Sequence, residues 1–152
     1  MNKEDEIMSG VRDVFNKMAS LNKSKMEVSL KGYKSSEVHG VEYIGKMADP
    51  NVTKLAEAFY MTRGAISKLT KKLMEKDLIE SYQKAENKKE IYFRLTPKGQ
   101  EVFDIHETLH KEFQERDKAI FEQITEEQFH ATLNFLKKYS NHLDAEIRKT
   151  ES

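Results

Sequence analysis

Apolar positions along this chain recur at two different spacings. Ile7, Val11, Val14, Phe15, Met18 and Leu21 fall on one helical face, which predicts a first amphipathic helix ending near a turn at Gly32. Ser35 or Ser36 is placed to cap a second helix, with Val38, Val41, Ile44 and Ala48 on its inner side. Asp49-Pro50-Asn51 breaks that helix, and Val52, Leu55, Ala56 and Phe59 make the inner face of a third. Thr62 stands where a helix N-cap belongs, ahead of a fourth stripe of Ile66, Leu69 and Leu73. The period then changes to two. Ile91, Phe93 and Leu95 alternate with Glu90, Tyr92 and Arg94, which predicts a half-buried strand. Its partner runs from about Ile79 to Gln83, and a polar, basic tip spans Lys84 to Lys89. Thr96-Pro97, a cap followed by a first-turn proline, opens a long fifth helix. Thr125-Glu126-Glu127-Gln128 is a capping-box signature for a sixth, with the stripe Phe129, Leu133, Leu136, Leu143 and Ile147.

Helix, tight turn, helix and hairpin, in that order, form a winged helix-turn-helix over residues 35–96. The predicted fold is mainly α with a small β-hairpin wing and six helices, as one domain over 1–152. The segments 1–30 and 97–150 carry more apolar stripe than one small core covers. They are expected to be dimerisation helices that bury those stripes against a second copy. The alternative is a larger monomeric helical core.

Composition narrows the class. Of 152 residues, 34% are charged and 38% hydrophobic, as expected of a water-soluble globular chain. There is no cysteine, which excludes a disulfide framework and a thiol sensor. No apolar run reaches membrane-spanning length, no membrane partner is expected, and no signal segment opens the sequence, so a cytoplasmic location is expected. Basic and acidic residues balance at 26 each, but not locally. Residues 51–98 hold 11 basic against 6 acidic residues, and the remainder carries the matching acidic surplus. The positive segment coincides with the helix-turn-helix and hairpin, which directs one face at phosphates.

The fourth helix supplies the candidate contacts. With Thr62 at its start, Arg63, Gly64, Ser67, Lys68, Lys71 and Lys72 are left on its outer face. Small residues there let a helix approach base edges while long cations reach phosphates. Arg63, Ser67, Lys68 and Lys71 are assigned to the major groove, and Lys84, Lys88 and Lys89 to the wing. The expected partner is double-stranded DNA carrying a palindromic operator, and DNA binding itself is expected to need no cofactor. A non-specific architectural DNA binder is an alternative.

Several stretches then acquire a specific likeness: Thr53-Lys54-Leu55-Ala56, Thr62 to Leu69, Leu73 to Ile79, and Leu95-Thr96-Pro97-Lys98-Gly99. The chain resembles the MarR family of bacterial transcriptional regulators over most of its length. The resemblance implies a six-helix winged dimer that binds a palindromic operator and answers to an effector, more often as repressor than activator. Two positions depart from the family pattern. Asn87 and Lys89 stand where the family's wing usually has an Asp and an Arg, which predicts mainly electrostatic wing contacts. Asp77 replaces a frequent glycine after the recognition helix, and Asp tolerates a left-handed cap.

His106-Glu107-Thr108-Leu109-His110 matches H-E-x-x-H, whose two imidazoles share a helix face. Three readings compete. One is a zinc metallopeptidase with Glu107 as base, against which the flanking wing and dimerisation stripe argue. Another is a regulatory metal site. The histidines resemble those of a zinc-sensing branch of the family, and that resemblance adds His39 and, as the acidic ligand, Glu27, with Glu37 and Glu107 serving a neighbouring position. The third is packing beside Val102, Leu109 and Phe113. His130 and His142 belong to no such group. A small aromatic effector is the other option, with Phe15, Met18, Tyr33, Tyr43 and Met47 as candidate lining.

Overall fold

A computed structural model describes residues 2–151. Six helices and one hairpin follow in order: α1 (Lys3–Ser29), α2 (Ser35–Lys46), α3 (Val52–Phe59), α4 (Arg63–Glu75), β1 (Ile79–Lys84), β2 (Asn87–Leu95), α5 (Pro97–Phe121) and α6 (Glu126–Glu151). No helix among the described residues is long and apolar enough to cross a membrane. The chain divides into two compact units, one ending at Phe113 and the other starting at Gln114.

In the first unit the core lies where α2, α3, α4, the hairpin and the first half of α5 meet. Val41, Leu55, Ile66, Leu73, Leu78, Phe93, Val102 and Phe113 are among its buried members. The two strands are antiparallel, with Ile79 opposite Leu95 and Ser81 opposite Phe93. Phe93 is buried, but Ile91, expected to face inward with it, is exposed because this half of the hairpin has left the core. The α4-to-β1 junction shows why glycine stands at 99. A Cβ there would meet the Leu78 carbonyl oxygen at 1.9 Å, so only a residue without one lets α5 start against that backbone.

Local capping chemistry sets the helix starts. Thr96 Oγ1 accepts from the Gly99 N–H at 3.0 Å, and Thr125 and Gln128 form the reciprocal box at 3.2 and 2.9 Å. The start of α2 differs from expectation. Ser35 is its first residue, not its cap, and the Glu37 carboxylate turns back to accept from the Lys34 N–H at 2.7 Å. Ala48 lies beyond the end of α2 and is exposed.

None of the residues of α1 is buried, and Ile7, Val11, Val14, Phe15, Met18 and Leu21 lie open along one side. In the second unit the rings of Phe121 and Phe129 stack at 6.2 Å, while Leu133, Leu136 and Leu143 of α6 are exposed.

Candidate nucleic-acid interface and histidine cluster

Thr62 Oγ1 accepts from the Ala65 N–H at 3.1 Å, which fixes where α4 begins and hence which residues face outward. Ile66 and Leu73 are fully buried and Thr70 nearly so. The opposite face therefore consists of Arg63, Gly64, Ser67, Lys68, Lys71 and Lys72, all exposed. The side chains of Arg63, Lys68 and Lys71 make no hydrogen bond or ion pair within the described residues. The far end of α4 is pinned. Asp77 adopts the left-handed backbone expected of it, with φ +59°. Lys76 Nζ donates to the buried Glu37 at 2.8 Å and to the Gly32 carbonyl at 3.2 Å. Burial works to raise the Glu37 carboxyl, but the Lys34 N–H and the Lys76 ammonium outweigh it and hold the group below the usual value.

The hairpin tip is shorter than the sequence suggests. Only Ala85 and Glu86 form the turn, so Lys84 belongs to β1 and Lys88 and Lys89 to β2. Lys88 and Lys89 are exposed. Asn87 Oδ1 accepts from the backbone N–H groups of Lys89 and Glu90, both at 3.3 Å, so the residue in the usual acidic position braces the backbone. Lys84 is not free: its ammonium lies 2.5 Å from Asp49 Oδ2.

The second cluster joins α2 to α5. Glu42, His106 and His110 each offer a ligand atom, all within 4.8 Å of one another. His106 is 1% exposed, with Nε2 at 3.1 Å from His110 Nε2 and Nδ1 at 3.0 Å from Glu42 Oε2. That last contact lacks hydrogen-bond alignment, so the buried Nδ1 is left without a partner. Burial lowers the His106 pKa, the neighbouring His110 and His39 lower it further, and Glu42 opposes them. Two imidazoles, one of them with an orphaned buried nitrogen, and a carboxylate make a three-residue donor set that fits a divalent transition metal such as zinc.

The sequence and the structure differ on the rest of that set. His39 is exposed, its ring centroid 6.0 Å from that of His106, near the cluster but outside the close group. The acidic member is Glu42, where the sequence points to Glu27. Glu27 is exposed on α1 and pairs with Lys23 at 3.8 Å. Glu42 lies one helical turn after His39, a spacing that could have revealed it. Glu107 approaches Lys46 at 3.2 Å, and Lys46 also lies 3.7 Å from Glu42. His130 and His142 are exposed.

The five residues considered for an aromatic effector differ in burial. Phe15 and Met18 are exposed on α1, while Tyr33, Tyr43 and Met47 pack against the core, Tyr43 edge-on to Phe59 at 4.7 Å. A shallow groove of about 300 Å³ beside α5 is lined instead by Ser29, Asp104, Ile105, Thr108, Leu109 and Glu112.

Comparison with known proteins bears on this geometry. The family model described as MarR family matches residues 34–91, from the start of α2 into β2. The HTH-type transcriptional regulator PchR of Bacillus subtilis (strain 168) is 29% identical over 150 residues, covering 90% of this chain and 89% of the relative. Among solved structures, Streptococcus pneumoniae FabT in complex with DNA superposes with a TM-score of 0.81 at 21% identity, over 94% of this chain and 99% of that one. Staphylococcus aureus MarR in complex with salicylate and kanamycin gives a TM-score of 0.72 at 21% identity, over 94% and 93%. These two likenesses speak for the fold.

Proposed function

We propose that the chain is a member of the MarR family, whose model matches residues 34–91, and that it acts as a dimeric, sequence-specific DNA-binding transcriptional regulator of the repressor type, and not as an enzyme. The observation that carries this reading is the outer face of α4, where Arg63, Lys68 and Lys71 are exposed and unpaired beside Gly64 and Ser67. An amphipathic helix anchored by Ile66 and Leu73 presents that face rigidly, as a major-groove reader requires. Lys88 and Lys89 on β2 add phosphate contacts that position without specifying sequence. The relative in complex with DNA supports the partner.

The exposed apolar stripes of α1 and of α6 support a second copy as the dimerisation partner. A two-fold dimer would read a palindrome whose half-sites lie about one DNA turn, ~34 Å, apart. A cytoplasmic location follows from that role.

For the effector, Glu42, His106 and His110 are the residues that would hold a metal ion, with His39 nearby. A bound divalent ion would supply a cross-link between α2, which precedes the helix-turn-helix, and α5. The relative bound to salicylate keeps a small aromatic ligand as the second option.

Selection from a random-sequence duplex library tests the main reading. The expected result is a recovered palindrome bound far more tightly than unrelated duplex. Equal affinity for all duplexes would support an architectural protein and sink sequence-specific regulation. Zinc alone, titrated calorimetrically, tests the effector: stoichiometric uptake lost in His110→Ala, with a change in duplex affinity, is expected. Absence of both uptake and affinity change would discard it.

A further inference from the structure

The tripeptide Asp49-Pro50-Asn51, which the sequence marks only as a helix breaker, is a polar hub under the wing. Asn51 Oδ1 caps α3 by accepting from the Lys54 N–H at 2.8 Å, while its Nδ2 donates to Glu90 of β2 at 2.9 Å. The Pro50 carbonyl accepts from the Phe93 N–H at 2.9 Å. Asp49 takes the left-handed backbone, φ +48°, which aspartate tolerates, and its own carbonyl accepts from Lys54 Nζ at 3.1 Å. Its carboxylate is then turned to β1. Oδ1 accepts from the Tyr82 hydroxyl at 2.7 Å, and Oδ2 meets Lys84 Nζ at 2.5 Å.

Lys84 is held from a second side, since its ammonium lies 5.1 Å from the centroid of the Tyr92 ring. Tyr92 pairs across the hairpin with Tyr82, the rings 5.5 Å apart, and Arg94 covers Tyr82 at 5.0 Å while bonding to Glu80 at 2.7 Å. The strand register slips between Tyr82 and Lys84, the residues that share Asp49. The Lys84 hydrogen bond, and after it that of Tyr82, holds the Asp49 carboxyl below the usual carboxylate range.

We infer that Asp49 is a positioning residue of the wing: it locks Lys84 into the α2–α3 junction and withholds that charge from DNA. The inference rests on the DNA-binding reading above. Lys84 thus differs in kind from Lys88 and Lys89, although all three look equivalent in the sequence. The lock sets the pose of the hairpin relative to α3 at the cost of one phosphate contact.

The test compares the salt dependence of binding to a library-selected duplex. Releasing Lys84 in Asp49→Asn, which keeps the left-handed tolerance and an acceptor for Tyr82, should steepen the log–log slope by ~1.8, one phosphate contact from each protomer of the dimer. The double variant Asp49→Asn/Lys84→Met should return it to the wild-type value. Lys84→Met alone should leave the slope unchanged, whereas Lys89→Met should flatten it by ~1.8, again one contact from each protomer. In the free protein, limited acylation read by peptide mass should label Lys84 several-fold more slowly than Lys88, and equally in Asp49→Asn. A slope that stays steep in the double variant would show loss of Asp49 repulsion alone and overturn the lock. So would an unchanged slope in Asp49→Asn with duplex still bound, or equal labelling in wild type. A library that yields no bound duplex overturns the DNA-binding reading, and the lock with it.

Discussion

The α4 helix and the hairpin wing carry four basic residues each, yet they are anchored by different forces. α4 is held by Ile66 and Leu73, both fully buried, and by Leu69 packed against the core. Apolar burial does the anchoring, so its cations are left over for a partner. β2 contributes Phe93 to the core and Leu95 to its edge, and beyond them Ile91 is already exposed. The wing must therefore be tied down by polar groups, and one of its own lysines serves as a tie. A cation's availability depends on what else holds its element in place.

Ile66→Ala should reveal the difference most strongly. Losing this fully buried side chain should cost about 3 kcal/mol, read as a lower urea midpoint with an unchanged slope. Ile91→Ala on the projecting wing should cost under about 1 kcal/mol, because little area leaves water there. Equal losses would show that the wing is packed as tightly as the helix.

The pinned end of α4 sharpens the contrast through pH. Glu37 is almost fully buried and paired with Lys76, so Glu37→Ala should destabilise by about 3 kcal/mol at neutral pH. Its carboxyl is depressed in the folded state. Its stabilisation is therefore complete above the ordinary value of 4.5 and is lost as pH falls through the lower folded value. Denaturation across pH 3–7 should show the gap between wild type and variant closing at the acid end. A gap independent of pH would place the effect in packing alone.

Arg63→Ala should cost about 1–3 kcal/mol of affinity per protomer for the selected duplex and relax preference at one base position in each half-site, as expected of a guanine contact. Competition against single-base variants of the duplex checks it; a uniform loss across all of them would make Arg63 a phosphate contact. The smallest effects should come from single polar ties. Thr62→Ala, which removes the α4 cap, and Tyr82→Phe, which removes one bond to Asp49, should each lower stability by about 1 kcal/mol. Calorimetric melting would register both, and no shift in either would mean that solvent replaces the lost bond.

Much of this was legible in order of sequence distance. Thr62, Thr96-Pro97 and Thr125 with Gln128 act within one helical turn, so their residue types alone disclose the helix starts. The outward set on α4 followed from the helical period once Ile66 and Leu73 were assigned inward. The turn at Ala85-Glu86 was harder, because a basic run reads alike whether it lies in a loop or on paired strands.

By itself, then, the sequence determined which segments are helices, which face of each is apolar and, where a threonine caps, at which residue the helix starts, since periodicity and capping are local; the start of α2, capped at Lys34 through Glu37, it misplaced. Only the tertiary structure decided that Glu42, not Glu27, joins His106 and His110, and that Asp49 reaches Lys84 thirty-five positions on. Those pairings lie between residues far apart in the chain. They depend on how the packed apolar faces orient the polar residues between them, which no spacing along the chain records.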